Sequence, residues 1–373
     1  MKTHDTIAAN IDALVNEGLR ALVPYAPGKP IADLERELGI REAIKLASNE
    51  SPMGPSPKAV AAIQDALAGL HRYPDGAATL LLEKLAPRLG VDRARIIFGN
   101  GSNEILELAV RAFMRPGDEA VFAHPSFAIY KLVVQAGGGR GVAVPLKDLT
   151  HDLPAMAAAI TPRSRLVFVC NPNNPTGTAV SKDAFEDFLR RVPDRVIIVA
   201  DEAYFEYMDD PGRVDSLQYQ AAGKIVLTLR TFSKCYGLAG LRIGYGVGHP
   251  RLVDYLQRAR QPFNVNWLAQ VGATAALDDE AHLRASVENN KRQLARLYEA
   301  LDRMGVRFTR TQANFFLVHV PGGDGMKAYD RLLRKGVIVR PMDSYDLPGT
   351  IRVTVGTPEE NTRFLNALEE AIR

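Results

Sequence analysis

Through about residue 277, short apolar runs alternate with helical patterns. The runs Arg95–Phe98, Glu119–Ala123, Leu166–Cys170, Arg195–Ala200, Ile225–Leu229 and Arg242–Val247 have the length and β-branched content of buried strands. Their alternation with helices predicts a mostly parallel α/β sheet. Ahead of them, residues 6–22 read as one amphipathic helix, followed by the Pro/Gly-punctuated "VPYAPGKP". Residues 45–56, "KLASNESPMGPS", form a turn-rich entry to a helix over about 57–70. Beyond residue 277 the texture changes. A long charged helix over about 279–304 carries Val287, Leu294, Leu297 and Leu301 at largely helical spacing. The runs "NFFLVHV", "GVIVR" and "TIRVTV" follow, then a last helix from about 358, which predicts a smaller α+β domain after the larger one.

Composition narrows the function classes. With 46% hydrophobic and 24% charged residues, the 373-residue chain is expected to be an ordinary soluble globular protein. Its 46 basic and 43 acidic residues leave a net +3, too balanced to argue for nucleic acid or a membrane as partner. Two cysteines without a Cys-x-x-Cys pattern suit a reducing cytoplasm, and seven scattered histidines give a metal site little support. The N-terminal residues have no apolar core of signal length, and no run of about 18 apolar residues occurs.

The unusual residues collect at predicted strand ends, where open parallel sheets bind ligands. After Ile96-Ile97-Phe98 comes "GNGSNE", a glycine turn in which Ser102 or Asn103 can start a helix. Free N–H groups there suit a phosphate, although an ordinary strand–helix turn explains the same residues. After Cys170 comes "NPNNPTG", a rigid loop carrying Asn171, Asn173 and Asn174. After Ala200 come Asp201 and Glu202, of which at least one starts at the edge of the core and needs a cation, several donors or a helix to cap. After Leu229 comes "RTFSKCYGLAGLRIGYG", with hydroxyls at Thr231 and Ser233, an amine at Lys234 and a guanidinium at Arg242 among glycines. A lysine, a core-edge acid, a phosphate cradle and an asparagine loop on one sheet form the set that pyridoxal phosphate requires.

The segments "SNESPMGPS", "YPDG", "GNGSNE", "NPNNPTG", "DEAYFEY", "RTFSKCYGLAGLRIGYG", "QANFFLV" and "IRVTVGTPEEN" together resemble the fold-type-I pyridoxal-phosphate aminotransferases of class II. Within these the chain is most similar to the histidinol-phosphate aminotransferase family. The resemblance runs from about residue 25 to 365. It implies a seven-stranded large domain over 45–277, a small domain over 278–373, and an N-terminal arm over 1–44 packed with the small domain.

It also assigns roles. Lys234 would bind the cofactor aldehyde and then carry the substrate proton, Asp201 would hold the ring nitrogen, and Asn174 and Tyr204 would bond the ring oxygen. Ser102, Asn103, Thr231, Ser233 and Arg242 would hold the phosphate, with Phe127 stacked on the ring. Tyr73 would reach a neighbouring subunit's cofactor, implying a homodimer. Tyr25, Asn174, Arg340 and Arg352 would bind substrate. The implied reaction passes the amine of histidinol phosphate to 2-oxoglutarate in two half-reactions. Relatives with near-identical motifs use phenylalanine or tyrosine instead, and a phosphothreonine-type decarboxylase or a non-catalytic cofactor-binding regulator shares the scaffold.

Overall fold

The computed structural model describes residues 2–24, 28–220 and 222–373. A short strand, β1 (Ile44–Lys45), precedes the central sheet. That sheet is built from β2 (Ile96–Gly99), β3 (Glu119–His124), β4 (Arg140–Pro145), β5 (Ser164–Cys170), β6 (Ile197–Asp201), β7 (Ile225–Thr231) and β8 (Gly244–Val247). Its spatial order is β2-β8-β7-β6-β5-β3-β4, and β8 alone runs antiparallel to its neighbours. The expected mostly parallel α/β class is therefore what the chain forms.

The reason lies in the strand sequences, which are apolar at nearly every position and so must be covered on both faces. Leu166, Phe168, Val199 and Leu227 face one cluster of buried side chains, while Val167, Val169, Ile198 and Val226 face the other. A one-residue slip of β6 would exchange these sets and carry Asp201 away from its cleft. The sequence pattern did not include β4. It is an edge strand with mostly exposed or half-buried residues, so its apolar signal is weak.

The second sheet joins β9 (Phe308–Thr309), β10 (Phe315–His319), β12 (Arg340–Pro341) and β13 (Thr350–Thr354) in the order β12-β13-β10-β9. The long helix Glu280–Arg303, capped by Asp279 through the His282 N–H, packs Leu294, Leu297 and Leu301 against Phe316, Val318, Ile351 and Val353. The run "GVIVR" splits at Val339. Its first half, β11 (Val337–Ile338), pairs in parallel with β1. Leu34, Ala43 and Ala47 also pack on Ile338, so this N-terminal stretch leans on β11.

Two helix boundaries differ from expectation. The stretch 6–22 is two helices, Lys2–Leu14 and Glu17–Arg20, because the Asn16 side chain accepts the Gly18 N–H at 2.9 Å and starts a new turn. The helix expected over 57–70 runs Pro57–Ala66, then tightens into a 3₁₀ turn over Leu67–Gly69. Among the described residues, no helix is long and apolar enough to cross a membrane.

Candidate active site

The ends of β2, β5, β6 and β7 open on one cleft, closed from the far side by β13 and by residues 48–49. Strand alternation decides which acid faces it. Asp201 shares a face with Ile197 and Val199, whereas Glu202 points the other way. There the Arg230 guanidinium donates to Glu202 Oε2 at 2.8 and 3.0 Å, and the Ser216 N–H donates to Oε1 at 2.7 Å. Glu202 is thus a buried structural anion.

Asp201 is only 2% exposed and half satisfied. Its Oδ2 accepts from the Tyr130 hydroxyl at 2.7 Å, while Oδ1 is buried with no hydrogen-bond partner among the described residues. Burial pushes its carboxyl up to about 6, against the Tyr130 hydrogen bond. The arrangement calls for a cationic N–H donor in the cleft.

Lys234 follows β7 and lines the same cleft, half-buried, with Nζ 3.3 Å from the Ser48 carbonyl oxygen to which it donates. Burial, and next the Arg352 guanidinium, lower its amine to about 8; Glu50 acts in the opposite sense. A lysine so placed has a neutral, nucleophilic fraction near neutral pH.

Between these groups, Tyr204 presents a phenol whose oxygen accepts from Asn49 Nδ2 at 3.0 Å, with its ring set edge-on to Phe315. Asn174 Oδ1 accepts from Arg352 Nη1 at 2.5 Å, so the amide's remaining offer is its N–H groups. Arg352 also donates to the Ala47 carbonyl at 2.8 Å, which fixes the guanidinium across the cleft.

At the other end, Ser102 is the first residue of the helix Ser102–Phe113, and Asn103 is the second. Gly101 precedes them with φ +75°, and having no side chain it leaves the first backbone N–H groups uncapped. Thr231 Oγ1 lies 3.0 Å from Ser233 Oγ, and Arg242 Nη1 donates to Ser233 Oγ at 3.4 Å and to the Ala239 carbonyl at 3.1 Å. The approach is close enough to forbid side chains. A Cβ on Gly101 would lie 2.4 Å from Arg242 Nη2, and one on Gly244 would lie 2.5 Å from the Ser102 nitrogen. Two hydroxyls, a guanidinium and a helix N-terminus thus converge on one anion-sized space.

Phe127 also lines the cleft. Two expected residues lie elsewhere. Tyr73 is 84% exposed and stacks on Phe263 at 4.9 Å. Arg340 lies outside the lining but stands directly opposite Arg352 in the β12–β13 register, which puts both side chains on one face. Tyr25 falls outside the described residues. The structure adds Ser48, Asn49, Tyr130 and Cys170, to which sequence reasoning gave no role. Asn49 had a visible signal, since it sits in "SNESPMGPS" and takes the left-handed φ of +56° that asparagine tolerates.

These groups fit pyridoxal phosphate. The orphaned Asp201 oxygen matches a protonated ring nitrogen, Lys234 an aldehyde, Tyr204 and Asn174 a ring oxygen, and the Ser102–Arg242 end a phosphate.

A fold and cleft of this kind define a class of group-transfer enzyme, and the chain belongs to the aminotransferase class I and II family, whose model matches residues 41–368. It is 49% identical to the histidinol-phosphate aminotransferase of Moorella thermoacetica, over 95% of this chain and 92% of that one. The enzyme of the same name from Methylobacillus flagellatus is 48% identical, over 95% and 96%. Among solved structures, histidinol-phosphate aminotransferase from Sinorhizobium meliloti in complex with pyridoxal-5'-phosphate superposes with a TM-score of 0.88 at 28% identity, covering 97% of this chain and 98% of that one.

Proposed function

We propose that the protein is a pyridoxal-phosphate-dependent aminotransferase that moves the amine of L-histidinol phosphate to 2-oxoglutarate, giving imidazole-acetol phosphate and L-glutamate for histidine biosynthesis. The observation that carries the chemistry is the lone Asp201 oxygen in the same cleft as a lysine whose amine is lowered to about 8. Bound there, the cofactor supplies an aldehyde that exchanges amines and a ring that accepts electrons. The chain does the rest. Asp201 would accept a hydrogen bond from the protonated ring nitrogen and keep the proton there, while Tyr204 and Asn174 would bond the ring oxygen. Ser102, Asn103, Thr231, Ser233 and Arg242 anchor the phosphate. Lys234 Nζ, once free, takes the proton from the substrate Cα.

Substrate choice rests on the relatives' activity and on the Arg340–Arg352 pair. Two guanidiniums on one face suit a phosphate dianion, and Arg352 alone serves the carboxylate of glutamate. An amine-donor panel against 2-oxoglutarate tests this reading. Histidinol phosphate is expected to exceed phenylalanine in kcat/KM, and a tenfold preference for phenylalanine overturns the assignment. Arg340→Ala should lower kcat/KM for histidinol phosphate by about ten- to a hundredfold, the worth of one charge-assisted hydrogen bond, and cost glutamate less. Equal losses remove Arg340 from phosphate binding.

The same reading makes the protein a homodimer. Tyr73 and Phe263 stack on each other with both rings exposed, and Leu67, Leu70 and Leu80, near Tyr73 in sequence, are exposed too, which supports burial against a second copy. Tyr73 then completes the neighbouring phosphate site. Light scattering should return twice the chain mass, and Tyr73→Phe should weaken cofactor binding about tenfold, as the loss of one hydrogen bond to an anion does. A monomer at micromolar concentration, or unchanged affinity, counts against the shared site.

This reading divides the chain into an arm over 1–44, a cofactor domain over 45–277 and a small domain over 278–373. The packing of Leu34 and Ala43 on Ile338 supports the arm's attachment. A cytoplasmic setting accords with Cys170 and Cys235, both buried as free thiols.

A further inference from the structure

We infer that Tyr130 is a positioning residue that holds the Asp201 carboxylate and the Phe127 ring in one frame, keeping the cofactor's ring-nitrogen proton on nitrogen rather than on Asp201. The inference rests on the cofactor reading above.

Tyr130 is the second residue of the helix Ile129–Ala136 and is fully buried. By pattern it is a core aromatic. Its surroundings give it a second task. The ring lies flat on Phe168 of β5, with centroids 4.8 Å apart and planes 7° from parallel, so the phenol cannot swing. From that fixed position the hydroxyl donates to Asp201 Oδ2 at 2.7 Å. The ring meets Phe127 edge-on at 5.6 Å and 86°. Phe127 and Asp201 both line the cleft, one suited to the face of a bound ring and the other to its nitrogen. Tyr130 touches both from behind and is outside the lining itself.

The consequence is electrostatic. A donor on Oδ2 stabilises the charged carboxylate and leaves Oδ1 as the oxygen available to a ring N–H. Where a carboxylate and a pyridine share one proton, stabilising the anion moves the proton to nitrogen. The other groups facing Asp201 do not substitute for this. Burial pushes the Cys170 thiol, on β5, up to about 12, and pushes the Tyr204 phenol well above its ordinary range. Glu202, next along the chain, is bound to Arg230 and repels. Lys234, beyond β7, favours the anion through its charge, and the nearby Ala203 backbone N–H acts in the same direction. Tyr130 is the only side chain that hydrogen-bonds Asp201 among the described residues. Burial also raises its own phenol well above the ordinary range, so the donated proton is always present.

The test is nuclear magnetic resonance of the holoenzyme loaded with ring-¹⁵N pyridoxal phosphate, together with steady-state kinetics. Wild type should show the nitrogen resonance of a pyridinium. Tyr130→Phe should move it toward that of neutral pyridine and lower kcat by about ten- to a hundredfold, the range for one hydrogen bond to a charged group, with KM nearly unchanged. Tyr130→Gln returns an uncharged donor and should recover much of both. If the phenylalanine variant fails to fold, Tyr130→Gln against Tyr130→Met makes the same donor comparison. A purely structural tyrosine would lower the melting temperature and leave the bound nitrogen protonated. That result, or an unchanged kcat, overturns the inference. A wild-type protein that takes up no cofactor refutes the cofactor reading instead.

Discussion

Lys234→Ala is expected to reduce transamination by at least about 10⁴-fold, the upper range for loss of a positioned general acid–base, while the protein still folds. The change removes an amine whose charged form is disfavoured by burial and by Arg352, and gives up one long hydrogen bond to the Ser48 carbonyl. Borohydride treatment of cofactor-loaded wild type should fix the label on the peptide holding Lys234, and the variant should yield no such peptide. The pH dependence gives a second reading of the same residue. Capture of the aldehyde needs the neutral amine, and the amine stands at about 8 rather than 10.5. Cofactor uptake by the unloaded protein should therefore rise about tenfold per pH unit below 8 and level off above it. A rate still climbing at pH 10 means an ordinary lysine, and an active Lys234→Ala protein ends the assignment altogether.

Asp201→Asn should lower kcat by about 10²–10³-fold, the cost of losing one preorganised electrostatic partner of the transition state. Its effect on stability should have the opposite sign. The folded carboxyl stands at about 6 against an ordinary 3.8, so folding loses stability as pH rises from about 3.8 to 6 and does not regain it above. The deficit is roughly 3 kcal/mol, the free energy of moving the carboxyl from 3.8 to about 6. The unloaded asparagine variant should thus melt a few degrees higher than unloaded wild type at pH 8 and lose that pH dependence. Added pyridoxal phosphate should stabilise wild type more than the variant. Calorimetry with and without cofactor checks both signs. A variant less stable than wild type in the unloaded state at pH 8 would refute the stored penalty at Asp201.

Much of this was legible in the chain for a definite reason. Strands buried on both faces must be apolar throughout, so β5, β6 and β7 announce themselves, and function in such sheets gathers where they end. The edge strand β4 carries no comparable constraint and left no comparable trace. The choice between Asp201 and Glu202 needed only the parity of β6, yet parity has no meaning until one face has a cleft. Tyr130 was hidden more deeply. An aromatic residue on the inward side of a half-buried helix satisfies the core pattern completely, and its hydroxyl acquires a purpose only when the fold brings Asp201, distant in sequence, to 2.7 Å. Tyr73 and Arg340 are the reverse case. The motifs name them, and a single chain leaves one on the outer surface and the other outside the lining.

The missing side chain at Gly101 reaches further than its own turn. The space that a methyl group would fill is taken by Arg242, brought there by the antiparallel return of β8. The two positions therefore cannot drift independently. An alanine at 101 would have to displace the arginine and also hold a φ of +75° that only glycine adopts without strain, so a shorter residue at 242 would lift one of two constraints. The empty position and the filled one thus form a single steric unit, assembled from residues more than a hundred positions apart in sequence.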